Sequence, residues 1–185
     1  MERDPRSHKT QNGTVAVVGG SPVFHGAPIF SALAAEASGV DLVYPVIHAR
    51  HAVVTRNASL NFIVSTFTGE SLSARDVSSI LLLLRELHVC VLGPGLAETP
   101  QNEKALVTIV KQAPCALVLD AGALRPRVLE TVGAGRSIIL TPHLEELERL
   151  TGESLTHVPR GRVTKLAAKL ARQHGAIVLL KGYED

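Results

Sequence analysis

The run Thr14-Val15-Ala16-Val17-Val18 is apolar and β-branched almost without interruption and breaks at Gly19-Gly20. A run without polar alternation predicts a strand covered on both faces. From Ala27 to Ser38 small and apolar residues predict a helix, with Pro28 tolerated in its first turn and Gly39 placed to stop it. Residues 42–47 predict a second strand in spite of Pro45, residues 48–58 a short helix, and residues 61–66 a third strand.

Beyond that point the pattern alternates cleanly. Helices are predicted over 73–87, 102–112, 126–132, 143–150 and 162–174, and strands over 88–92, 115–119, 137–140 and 176–180. Such alternation implies right-handed βαβ crossovers and a mainly parallel sheet with helices on both faces, an α/β fold. A polar lead, residues 1–13, precedes one domain over 14–185, a length that leaves little room for a second core. The segment from Gly152 to Gly161, with Pro159, reads as a loop inside that domain.

Composition narrows the function classes. The longest obvious apolar run, Ile80 to Leu84, is far short of the roughly 20 residues that span a bilayer, and the lead lacks the apolar stretch of a secretory signal. A cytoplasmic location is therefore expected, and the triplets Asn12-Gly13-Thr14 and Asn57-Ala58-Ser59 carry no glycosylation meaning. Cys90 and Cys115, each within an apolar run, read as core thiols, with no disulfide framework and no metal site. A net charge of +2 with 3% aromatic residues offers neither a phosphate-binding field nor stacking platforms, so nucleic acid is not an expected partner.

In open α/β sheets ligands bind beyond the carboxyl ends of the strands. The expected strand ends carry Gly19-Gly20-Ser21, Gly93-Pro94-Gly95, Asp120-Ala121-Gly122, Thr141-Pro142-His143 and Lys181-Gly182. Glycine there lets backbone approach a ligand and exposes N–H groups, and a following helix start suits phosphate. The set points to an anionic, phosphorylated ligand. Each residue also has a plainer use: Asp120 as a helix cap, His143 as a capping or packing residue, Lys181 as a solvated charge. The basic face of Arg162, Lys165, Lys169 and Arg172 reads as the wet side of an amphipathic helix. No Walker-type phosphate loop, complete dinucleotide fingerprint or nucleophile elbow occurs.

The series Val17-Val18-Gly19-Gly20-Ser21, Gly26-Ala27-Pro28, Leu92-Gly93-Pro94-Gly95-Leu96, Leu119-Asp120-Ala121, Ala123-Leu124, Thr141-Pro142-His143 with Glu146, Arg149-Leu150 and Leu179-Leu180-Lys181-Gly182 resembles, in order and spacing, the ADP-dependent NAD(P)H-hydrate dehydratases. The resemblance runs from about Lys9 to the C-terminus. It implies a ribokinase-like three-layer α/β/α fold and a lyase that repairs nicotinamide nucleotides. In that reaction a nucleotide phosphorylates the hydroxyl of the S epimer of hydrated NADH or NADPH, and phosphate then leaves as the double bond forms.

On that resemblance Ala27, Gly95 and His143 contact the hydrated cofactor and Lys181-Gly182 begins the nucleotide-binding loop, with ADP, or alternatively ATP, as phosphoryl donor and Mg as an accompanying ion. Phe24 stands where the family often has tyrosine, Ala97 and Glu145 replace glycines, and Gly122 replaces an aspartate. The family's glycine-rich anion hole and catalytic aspartate follow the lysine-glycine motif, so the resemblance puts the catalytic base downstream of Asp185 and leaves the sheet incomplete at its C-terminal side. A homo-oligomeric or complementing chain is the expected remedy. Two other readings share the fold: a sugar or vitamin kinase, and a catalytically inactive nucleotide-binding scaffold.

Overall fold

A computed structural model describes residues 6–8, 10–133 and 135–182; part of the polar lead lies outside them. Strand β1 (Thr14–Val18) is followed by α1 (Gly26–Ala37) and β2 (Leu42–His48), then by a 3-10 turn over Ala49–His51, α2 (Ala52–Ala58) and β3 (Ser65–Phe67). The regular half runs α3 (Ala74–Leu84), β4 (Val89–Leu92), α4 (Pro100–Gln112), β5 (Ala116–Leu119), a 3-10 turn over Ala121–Ala123, α5 (Pro126–Leu129), β6 (Ile138–Leu140), α6 (Leu144–Thr151), α7 (Arg160–His174) and β7 (Ile177–Val178). The strands form one sheet in the order β3-β2-β1-β4-β5-β6-β7, every pairing parallel.

Several boundaries differ from the periodicity for local reasons. Helix α4 starts two residues early because Thr99 caps it, its hydroxyl accepting from Asn102 N at 3.1 Å, and Pro100 fits the first helical position. The third strand is shorter than expected, with Phe62 making only an isolated bridge to Val43. Pro45 is accommodated in β2 by strand parity. Val46 O accepts from Gly19 N on the β1 side and Val43 O from Ile63 N on the β3 side, so the missing Pro45 N–H faces β3, whose register begins only at Val46. Strand β7 is two residues long, yet Leu179 N still donates to Leu140 O at 2.8 Å and Lys181 N to Pro142 O at 2.9 Å.

The two faces of the sheet are unequal. In one registered row Val18, Leu92, Leu119 and Leu140 are wholly buried. They share a core with Leu106 and Ile109 of α4, Leu147 of α6 and Val163, Leu166 and Leu170 of α7. The opposite face is covered by α1 over β1 and β2, where Ala32 packs with Val15, Val17 and Val43. Further along that face Val91, Val118 and Ile139 are only half-buried and Ile177 is 66% exposed. The expected α/β/α layering is thus present over β1–β2. Among the described residues, no helix lies over β5–β7 on that side. Burial pushes the Cys90 thiol well up from its ordinary range and the half-buried Cys115 thiol up as well, and both are free, in keeping with core thiols.

Candidate functional site

Strands β1 and β4 are neighbours, but the chain leaves them toward opposite edges of the sheet, β1 toward β2 and β4 toward β5. A parallel sheet opens a crevice above the carboxyl ends at such a reversal. Here those ends are Gly19-Gly20-Ser21 and Gly93-Pro94-Gly95, which lie backbone against backbone. Gly20 N donates to Pro94 O at 2.8 Å, and a Cβ on Gly19 would meet that carbonyl oxygen at 2.2 Å. Gly93 has φ +119, and a Cβ there would lie 1.9 Å from Asp120 O. No other residue type fits it.

The segment after Gly20 is a turn closed on itself, with Ser21 N donating to Phe24 O at 2.9 Å and Phe24 N to Ser21 Oγ at 3.0 Å. His51, from the turn after β2, holds it from below. Its Nε2 lies 3.1 Å from Ser21 O and 3.2 Å from Pro22 O, so Nε2 carries the proton, and its ring stacks on His25 with centroids 4.5 Å apart. The turn presents Phe24 to a cleft of about 350 Å³ whose walls include Gly95, Gly122, His143, Glu146 and Arg149.

The residues singled out in the sequence meet at this edge to different degrees. Gly95 and His143 line the cleft together. Ala27 is exposed on the first turn of α1 and outside the cleft lining; its neighbour Pro28 abuts Gly95, where an added Cβ would meet Pro28 Cδ at 3.2 Å. Lys181 reaches the edge through ion pairs, with Nζ 2.7 Å from Asp120 Oδ1 and 3.6 Å from Glu146 Oε2. Gly182 follows it, exposed.

Asp120 does not cap the turn that follows it. Its Oδ1 accepts from Lys181 Nζ and from Thr141 Oγ1, both at 2.7 Å. His143 does cap α6: its Nδ1 accepts from Glu146 N at 3.3 Å while Glu146 Oε2 accepts from His143 N at 2.8 Å, a reciprocal capping box. Capping and cleft lining are thus combined in one residue. Arg149 Nη1 pairs with Glu98 Oε1 at 2.6 Å across the rim. Gly122 is held by a short approach, since a Cβ would lie 2.7 Å from Leu96 O. An aspartate at 122, as the resembling family has, would require this loop to shift.

Motif reading placed Asp120 among the strand-end residues and Glu146 and Arg149 in the family motifs, but assigned none of them, nor Glu98, a defined task at this site. The spacing of Glu146, three residues after a capping residue, was the one local signal available. Glu98 and Arg149 pair across 51 positions, and Asp120 pairs with Thr141 across 21 and with Lys181 across 61. Among the described residues no three His, Cys, Asp or Glu side chains converge as a metal cage, and Asp120 and Glu146 are already engaged by Lys181. Also among the described residues, no helix is long and apolar enough to cross a membrane.

A family model described as NAD(P)H-hydrate dehydratase matches residues 15–185. The chain is 40% identical to the ADP-dependent (S)-NAD(P)H-hydrate dehydratase of Nitrosopumilus maritimus, aligning 99% of its own residues with 64% of that protein. It is 39% identical to the enzyme of the same name from Cenarchaeum symbiosum, over 97% of this chain and 62% of that one. The structure of the ADP/ATP-dependent NAD(P)H-hydrate dehydratase of Bacillus subtilis, co-crystallised with ATP and Mg2+, superposes with a TM-score of 0.76 at 26% identity, covering 98% of this chain and 62% of that chain. The chain therefore spans less than two thirds of the length of these relatives.

Proposed function

The chain belongs to the NAD(P)H-hydrate dehydratase family, and on that premise we propose that its strand-end cleft binds the S epimer of hydrated NADH or NADPH, with ADP entering from the Lys181 side. The observation that carries this reading is the joint opening of Gly95 and His143 on one cleft at the β1/β4 reversal, with Lys181 at its margin.

The chemistry follows from leaving-group ability. Hydroxide leaves a hydrated dihydropyridine poorly. ADP transfers its terminal phosphoryl group to the substrate hydroxyl, releasing AMP and the hydroxyl proton. The C–O bond then breaks with loss of phosphate, a ring proton departs, and the double bond returns. Phosphoryl transfer of this kind needs mainly positioning and charge stabilisation. In this reading Lys181 neutralises phosphate oxygens, and Phe24 and His143 flank the nicotinamide ring. ATP would occupy the same place, with any Mg2+ held by the phosphates. We also assign to the open side of the sheet a covering polypeptide, in keeping with the greater length of the relatives.

Calorimetric titration tests the assignment. Hydrated NADH and ADP should each bind. Phe24→Ala should weaken the hydrate and Lys181→Ala the nucleotide, each by about tenfold, the worth of one lost well-packed or charge-assisted contact. Binding of a free sugar or vitamin alcohol together with ATP, and of neither hydrate nor ADP, would overturn it in favour of a kinase.

A further inference from the structure

Glu146 is nearly fully buried, with 5% of its surface exposed. A buried carboxylate is costly unless it is paired and hydrogen-bonded. Its capping duty explains one hydrogen bond, from His143 N to Oε2 at 2.8 Å, and glutamine serves that duty equally well. The negative charge is surplus to the cap. Two contacts account for it: Oε2 lies 3.6 Å from Lys181 Nζ, and Oε1 lies 3.5 Å from His143 Nε2. Because His143 Nδ1 accepts from Glu146 N, Nε2 is the nitrogen that carries the proton in the neutral ring, and the carboxylate lies beside it at ion-pair distance.

One carboxylate therefore touches both the lysine assigned to the nucleotide and the histidine assigned to the hydrated cofactor. We infer that Glu146 is a positioning residue that couples the two ligand sites. The inference rests on the proposed function above for the identity of the ligands, though not for the link itself. An incoming phosphate competes for the Lys181 ammonium. As that cation turns away, the Glu146 charge falls to His143 alone, and the imidazole is held more firmly at the cleft wall. Nucleotide binding thus prepares the histidine for the hydrate, and linkage makes the effect reciprocal.

Two measurements on the full chain separate this link from the ligand assignment. The first uses no ligand: side-chain 15N NMR of His143 in the wild type, Lys181→Met, Glu146→Gln and the double variant. Lys181→Met should shift the imidazole signals in the wild-type background and leave them unmoved in the Glu146→Gln background. The second titrates hydrated NADH with and without saturating ADP. ADP should tighten the hydrate about fivefold or more in the wild type, the lower end of ordinary coupling, and the factor should fall to about one in Glu146→Gln. Glu146→Gln keeps the cap, so thermal melting should be nearly unchanged and loss of coupling cannot be ascribed to unfolding. A His143 response to Lys181→Met that survives Glu146→Gln, or a coupling factor unaffected by that substitution, overturns the inference. If neither ligand binds but the imidazole response is present and depends on Glu146, the dehydratase reading fails and the link stands.

Discussion

At the scale of single residues the cleft is built by backbone contacts that exclude side chains. Gly93 has both a backbone angle that L-residues avoid and a neighbour, Asp120 O, where its Cβ would go. Gly93→Ala should therefore cost about 3 kcal/mol or more, from strain and overpacking together, and lower the melting temperature by roughly 6–12 °C. Calorimetric melting checks it, and a loss of under 2 °C would mean that the β4 and β5 ends are not locked as described. Gly95 differs in degree: with φ +71 and Pro28 Cδ at 3.2 Å, a large residue there strains the fold as well as filling the cleft. Phe24, which lines the cleft, is for this reason the cleaner probe of cofactor space. The strand-end glycines were legible in the sequence as sites of close approach. That Gly19 and Gly93 approach carbonyls of the neighbouring strand ends was not, because that depends on which strands are neighbours.

At the scale of elements, α6 shows how one residue serves fold and site together. His143 caps the helix through Nδ1 and lines the cleft with the rest of its ring. The roles separate by substitution. Asparagine is a strong N-cap, so His143→Asn should leave stability within about 0.5 kcal/mol of wild type, whereas His143→Ala should lose about 1 kcal/mol. Both should weaken hydrated NADH by about tenfold if the ring makes one hydrogen bond to it. Urea unfolding and titration of the same samples measure the two effects; unaltered hydrate binding in the asparagine variant would leave His143 a cap alone. Element order was readable because the strands from β4 onward are short apolar runs between amphipathic helices. The boundaries that slipped, at β3 and β7, lie where pairing with one neighbour decides how far a strand extends. The Lys181–Asp120 pair is 61 positions apart, and no periodicity reports on it.

At the scale of the whole molecule, the sheet is dry on one side and graded on the other. Val17, Val91, Val118, Ile139 and Ile177 follow one another in register across the sheet on the α1 side. Exposure rises along this row from Val17, wholly buried under α1, to Ile177, 66% exposed. Apolar surface in such a row is an association surface whenever nothing lies over it. Valine to threonine keeps shape and β-branching while adding a hydroxyl, so its cost reports on cover: about 1–3 kcal/mol where the hydroxyl has no partner, and close to zero where water reaches it. Val17→Thr should therefore destabilise this chain by about that amount, and Val118→Thr by less than about 0.5 kcal/mol. Val118→Thr combined with Ile139→Thr should also reduce light scattering and binding of an apolar dye by the isolated chain. If Val118→Thr costs as much as Val17→Thr, the face is already covered in solution by a second copy of the chain. Dilution would then restore the difference between the two variants, because a self-formed cover is lost as the concentration falls. A cost that stayed equal at every dilution would show that the β5–β7 side is packed within the single chain, contrary to the half-burial of Val91, Val118 and Ile139.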